Sequence, residues 1–363
     1  MKSIKFTLET ITPLFLAGAD GTTPELRAPS IKGMMRFWWR AVKGLNDNDI
    51  GQLQEEEAKI FGNTEKKSPV RLKIGLISEV KGYNLKNSID LWNDDQGLGY
   101  LLYSTFLKNR ERGYYDIGTK LDITLSSSDS YIDELKHCAS ALWVAVYLGG
   151  LGTRARRGGG NLSFVDIQDD NSIIKNDLSF IPDESIKTKE NIGQWIENNF
   201  SKIKAIIGTG GTANSYSTLS KLSNSKVYIL DEKKDYKEVL NLIGKEYKSY
   251  RTGVKRDIFT GPNFGFPVMH TGFKMRIISY DNNDRFSERR SSPLIFKVLK
   301  VNKSLFFPVI VLLSGDLLPS GVKLRKEVKS NWKWSPAKNT SPPDKTFLTD
   351  FIDRFTAKQE VTL

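Results

Sequence analysis

Polar and apolar residues alternate from the second position onward. Ile4, Phe6 and Leu8 fall on one side and Lys5, Thr7 and Glu9 on the other, which predicts a half-buried strand over residues 2–12. After a polar loop at 17–24 the apolar period lengthens. Ile31, Met35, Trp38 and Val42 form a stripe with helical spacing, so a helix is expected with Ser30 as its N-cap and Gly44 closing it. A second helix is predicted over 53–61 and a strand over 70–80, where Val70, Leu72, Ile74 and Leu76 share a face. Residues 81–118 read as a polar insertion. Then come a strand at 120–125, a strongly apolar helix at 131–148, a glycine-rich run at 149–160 and a strand at 162–167. The order β-α-β-β-α-β predicts a ferredoxin-like (RRM-like) unit, with helices on one face of an antiparallel sheet.

The second half is less regular. Helices are expected at 191–206, 233–250 and 346–355, and strands at 226–230, 273–280, 294–301 and 306–313. Residues 330–344 read as a loop, because Pro336, Pro342 and Pro343 interrupt the pattern. The predicted fold class is therefore α+β. One unit spans residues 1–170, and a divergent copy with helical insertions spans 171–363. A chain of 363 residues, 39% hydrophobic and 26% charged, is long enough for two cores of this kind.

Charge and composition narrow the function classes. Lysine and arginine outnumber the acids by 54 to 42, and the net charge of +12 favours a polyanionic partner. Cys138 is the single cysteine, so no internal disulfide can form. With His137 and His270 as the only histidines, a zinc site of the usual Cys/His kind is excluded. No apolar run approaches the roughly 18 residues of a membrane span. The N-terminal pattern is that of a strand and not of a signal peptide, so the cytoplasm is the expected location.

Two constellations carry candidate chemistry. On the first helix Lys32, Arg36, Arg40 and Lys43 fall within an arc of about 80°. Trp39 lies at the edge of that stripe, while Trp38 belongs to the core stripe and Phe37 extends the apolar surface. A solvated helix face usually mixes signs, but no acid occurs from Leu26 to Asn46. A cationic stripe beside an aromatic suits a phosphate backbone and a stacked base. The second constellation is the glycine-rich run, which carries Arg154, Arg156 and Arg157 among glycines that include Gly152 and Gly158. Glycines let backbone approach phosphate closely, and the arginines supply forked donors. The run is neither a P-loop nor a dinucleotide fingerprint, because it follows a helix and lacks the Gly-Lys-Ser/Thr ending. The two constellations are expected to line one groove. Further basic clusters occur at Lys248, Arg251, Lys255 and Arg256, and at Arg285, Arg289 and Arg290.

Candidates for catalysis are sparse. Asp20 stands alone in a loop, and Glu55, Glu56 and Glu57 read as a solvated helix face. His137 lies on the apolar helix and reads as core, and His270 has no visible partner. No cofactor is expected.

The segment from Thr10 to Asp20, then Pro24 to Gly33, then Arg36-Phe37-Trp38-Trp39-Arg40, resembles the start of the first-subunit family of the Cmr complex, the type III-B CRISPR effector. The glycine-rich run is similar to the loop shared across the RAMP superfamily, and Arg289 to Leu294 resembles a third block. The resemblance implies tandem ferredoxin-like modules in a crRNA-guided, hetero-oligomeric complex with other RAMP subunits. It implies contact with the crRNA 3′ region and target RNA, no membrane, and no catalytic role for this subunit. The expected RNA contacts are Lys32, Arg36, Trp39, Arg40, Lys43, Gly152, Arg154, Arg156, Arg157, Gly158, Arg256, Arg289 and Arg290. Two alternatives remain open at this point: a RAMP endoribonuclease using Asp20 or His270, and an adaptor that touches protein only.

Overall fold

The computed structural model describes residues 1–44, 50–90, 93–107, 111–209, 221–253, 261–265, 268–270, 275–280, 286–287, 291–314, 322–330, 333–340 and 346–363. The first sheet is built from β1 (Lys2–Thr10), β2 (Arg71–Ser78), β3 (Lys120–Ser127) and β4 (Leu162–Gln168). Its order is β2-β3-β1-β4 and every pairing is antiparallel. The alternation in β1 is realised directly. Ile4, Phe6 and Leu8 are fully buried and register with Leu125, Ile123 and Leu121 of β3.

Helices α1 (Ala28–Lys43), α2 (Ile50–Phe61) and α4 (Ile132–Tyr147) pack against one another over this sheet, and α3 (Gln96–Leu102) lies in the inserted segment. The start of α1 differs from expectation. Arg27 is the N-cap residue and makes no side-chain cap, while Pro29 occupies the first turn, where its fixed φ suits the helix. Ser30 already lies inside that turn, its N–H donating to Arg27 O at 3.0 Å. The C-terminus is as read: Gly44 takes φ +66 and donates to Arg40 O at 3.0 Å.

The second half contains α5 (Lys189–Ile207), β5 (Lys221–Leu230), α6 (Tyr236–Gly253), β6 (Met275–Tyr280), β7 (Leu294–Asn302), β8 (Leu305–Ser314), β9 (Lys323–Ser330), β10 (Lys333–Thr340), α7 (Thr346–Asp353) and β11 (Lys358–Thr362). Its main sheet has the order β7-β8-β5-β11, again antiparallel throughout. With α6 and α7 in their places, this repeats the arrangement of the first sheet, so the fold is α+β with two tandem ferredoxin-like units. Strands β6, β9 and β10 form a separate sheet with the short segments Phe286–Ser287 and Val268–His270. Residues 330–344 are therefore not simply a loop. Strand β10 runs through them on the sheet edge, and Pro336 sits at a register shift opposite Glu327, where an edge strand tolerates a proline. The polar insertion also has a defined place. Leu98 N–H donates to Asn241 Oδ1 at 2.9 Å, and α3 crosses α6 so closely that a Cβ on Gly97 or Gly244 would collide with the other helix's backbone.

The two units are stitched along β7. Phe296 N–H donates to Arg156 O at 3.3 Å, Lys300 Nζ lies 3.1 Å from Glu9 Oε1, and Lys297 Nζ donates to Val146 O at 2.8 Å. Burial pulls the Lys297 pKa down from 10.5 to about 7. Below about pH 7 this ammonium is charged in both folded and unfolded chains. Between about 7 and 10.5 the unfolded chain binds more protons, so the group makes stability rise with pH across that window. Lys297→Met should flatten that rise in thermal denaturation; an unchanged pH slope would exclude Lys297 as its source.

Candidate nucleic-acid interface

The cationic stripe of α1 is largely neutralised by its neighbour. Glu57 of α2, only 5% exposed, accepts from Arg36 Nε and from Arg40 Nη1, the latter at 2.7 and 2.8 Å to its two oxygens. Lys43 Nζ pairs with Glu56 Oε2 at 2.8 Å. Glu57 is thus not on a solvated face. In α2 it shares a stripe with Leu53, Ile60 and Phe61, and an acid on an apolar stripe is the sequence signal that a cation must meet it there. Trp39 is fully buried, donates its indole N–H to His137 Nδ1 at 3.0 Å, and packs edge-on to Phe61, so it cannot stack on a base. His137 is held neutral by this burial, its pKa pushed down. Among the described residues, Lys32 is the stripe member with no acid paired to it. With Lys67 and Arg71 it borders a hollow of about 820 Å³, and burial lowers its pKa.

The glycine-rich loop lies on the other side of α1. At 100° per residue, the mean direction of Met34, Phe37 and Trp38, which face the loop, is roughly 150° from that of Arg36, Arg40 and Lys43. The expected single groove joining the arginine stripe to the loop therefore does not exist. The loop itself is tightly bonded: Leu151 N–H donates to Gly160 O, Thr153 N–H to Phe15 O and Gly160 N–H to Pro13 O, all within 3.0 Å. Gly152 has φ +78, and a Cβ there would strike Phe15 O. Gly158 is buried beneath Leu240 of α6, so its role is close packing and not contact with a phosphate.

The three loop arginines separate by role. Arg157 is a clasp between the units: its guanidinium donates to Leu294 O, Tyr247 Oη and Phe264 O at 3.0 Å each, and to Arg156 O at 3.1 Å. A group so committed is structural and not available to a ligand. Arg154 donates to Ser104 Oγ at 2.6 Å and lies over the Tyr103 ring at 4.5 Å. Arg156 donates to Ser292 O and lies 5.8 Å from the Phe37 ring centroid. Both are half-exposed and border a cavity of about 420 Å³. Its walls include Met34, Phe37 and Trp38 of α1, Gly149, Gly150 and Gly152 of the loop, Ser291 and Ser292 from the approach to β7, and Ile295 within it. Met34 and Phe37 carry a legible sequence signal: they are apolar but lie off the stripe that the sheet buries. Arg256, Arg289 and Arg290 fall outside the described residues, although Ser291 and Ser292, which follow the latter pair, line the cavity.

Asp20 is engaged in a turn. Its carboxylate accepts from the N–H groups of Thr22 and Thr23 at 2.9 Å and from Thr23 Oγ1, and these bonds hold its pKa well below the usual carboxylate range. Among the described residues no group of three or more His, Cys, Asp or Glu could hold a metal ion, and no helix is long and apolar enough to cross a membrane. The side chain of His270 lies outside the described residues.

Residues 7–163 match the RAMP superfamily. The CRISPR system Cmr subunit Cmr1-2 of Pyrococcus furiosus is 39% identical over 175 residues, which cover 43% of this chain and 92% of that protein. The chain belongs to the Cmr1 family, within the RAMP superfamily. The crystal structure of Cmr1 from Pyrococcus furiosus in its apo form is similar at a TM-score of 0.66 and 24% identity, covering 99% of this chain and 98% of that one. A chain of the type III-B Cmr-beta complex, solved by cryo-EM bound to cognate target RNA, is similar at a TM-score of 0.53 and 16% identity, covering 98% and 99%. These two likenesses establish that the whole chain, and not only its matched N-terminal half, has the Cmr1 fold.

Proposed function

We propose that the chain is a non-catalytic RNA-binding subunit of a cytoplasmic type III-B Cmr ribonucleoprotein. In this reading it contacts the crRNA 3′ region, target RNA or both, assembles with other RAMP subunits, and serves antiviral defence. Residues 1–170 and 171–363 act as its two modules. The observation that carries the reading is the cavity at the glycine-rich loop, where Arg154 and Arg156 stand at the rim of an aromatic wall. Guanidinium at the rim suits phosphate oxygens, and aromatic side chains suit unstacked bases. Membership of the Cmr1 family supports it, as does the similar fold of a chain from a complex solved with target RNA.

The test is a titration of single-stranded RNA from 50 to 200 mM salt, with the same mixtures examined for cleavage. Affinity that falls steeply with salt, with RNA intact in the presence and absence of divalent metal, is the expected result. Cleavage by the purified chain would replace this reading with that of an endoribonuclease. No measurable RNA binding would remove it.

A further inference from the structure

Resting on the RNA-binding reading, we propose that the cavity beside the glycine-rich loop receives one unstacked base of the bound strand. Three observations give it that character. First, the wall is aromatic and apolar where a simple phosphate track would be charged. Phe37 and Trp38 meet edge-on with centroids 5.1 Å apart, and Met34 and Ile295 complete the lining. At about 420 Å³ the space lies toward the small end of ligand pockets and suits a single ring system, not a helix groove.

Second, Trp38 is 2% exposed and its indole Nε1–H has no hydrogen-bond partner. That atom is itself enclosed and lies against the Gly149 backbone, so what Trp38 offers the cavity is an apolar wall and not a donor. Third, the loop makes room for this arrangement by having no side chain. A Cβ on Gly149 would collide with Trp38 Nε1, and Gly150 continues the same floor. Phosphates flanking the inserted base would meet Arg154 and Arg156 at the rim. The base is thus bound by stacking on Phe37 and by contact with the apolar wall, and the strand around it by charge. This predicts recognition of one position in the strand, as distinct from uniform tracking along it.

The experiment is an abasic scan. A single-stranded RNA that binds the full chain is prepared as a series, each member lacking one base, and affinities are compared at fixed salt. The expected result is one position where removal of the base weakens binding about tenfold or more, against small changes elsewhere. In Phe37→Ala that position should become insensitive to base removal, while Arg154→Ala weakens intact and abasic strands alike. Because Phe37→Ala could also disturb packing, a 4-thiouridine placed at the sensitive position provides a second readout in the unmodified protein: its photo-crosslink should map to residues 34–38 or 291–295. A flat scan, a sensitive position that survives Phe37→Ala, or a crosslink elsewhere would overturn the base pocket while leaving RNA binding intact. Failure to bind any member of the series would overturn RNA binding itself, and the pocket with it.

Discussion

The Arg36→Ala, Arg40→Ala double variant is expected to lose about 2–3 kcal/mol of folding stability and little of its RNA affinity. Either substitution alone leaves Glu57 one cation, but together they strand a carboxylate that is almost wholly enclosed. Removing the partners of a fully buried charge costs about 3–5 kcal/mol. The figure here is lower because the two arginine side chains are 36% and 39% exposed, so water already screens part of the attraction. Chemical denaturation measures it. Adding Glu57→Leu to the double variant should recover most of the loss, because the stranded charge is then gone and Leu extends the Leu53, Ile60 and Phe61 stripe. If the double variant instead melts like the parent and binds RNA far more weakly, α1 presents its arginines to RNA and the pairing with Glu57 is unimportant.

That variant also marks where reading from sequence stops working. Periodicity within one element is a local property, and it was legible. The buried face of β1, the Ile31, Met35, Trp38 and Val42 stripe and the glycine stop of α1 all follow from spacing alone. The first unit's strand order followed too, because β-α-β-β-α-β leaves few other ways to cover one sheet face. What a single helix cannot show is which neighbour meets its polar face. The absence of acids within α1 suggests an open cationic surface, yet α2 supplies the acid: Glu57 lies 17 residues beyond Arg40 and 21 beyond Arg36. Trp39 was misplaced for the same reason, since the partner of its N–H is 98 residues away on α4. In the loop, the glycines of the sequence alone suggest freedom to approach a phosphate. Much of that freedom is instead consumed by protein, with Leu240 over Gly158 and the loop bonded to β7 through Arg156 and Arg157. The edge strand β10 was hidden because a proline in a bulge and a proline in a loop look alike in one sequence.

If the loop carries the interface, the larger effect on binding falls on Arg154 and Arg156. Replacing both with alanine should weaken single-stranded RNA binding at least tenfold at moderate salt. It should also reduce the slope of log affinity against log salt by about 1.4, since two phosphate contacts release their counterions from a single strand. Stability should fall by much less than in the α1 variant. Both residues are only partly buried; the change gives up the bonds from Arg154 to the Ser104 hydroxyl and from Arg156 to Ser292 O, and keeps the backbone bond from Phe296 N–H to Arg156 O. The two double variants thus make opposite demands: one loses stability and keeps affinity, the other loses affinity and keeps stability. Arg157 is unsuitable for this comparison, because its three bonds across the seam would mix both effects. The salt slope is the decisive readout. A general loss of folded protein lowers apparent affinity at every salt concentration without changing the slope, whereas removal of phosphate contacts lowers both. An unchanged slope in the Arg154, Arg156 variant would show that the backbone of the strand runs elsewhere, with the Lys32, Lys67 and Arg71 hollow as the next surface to vary.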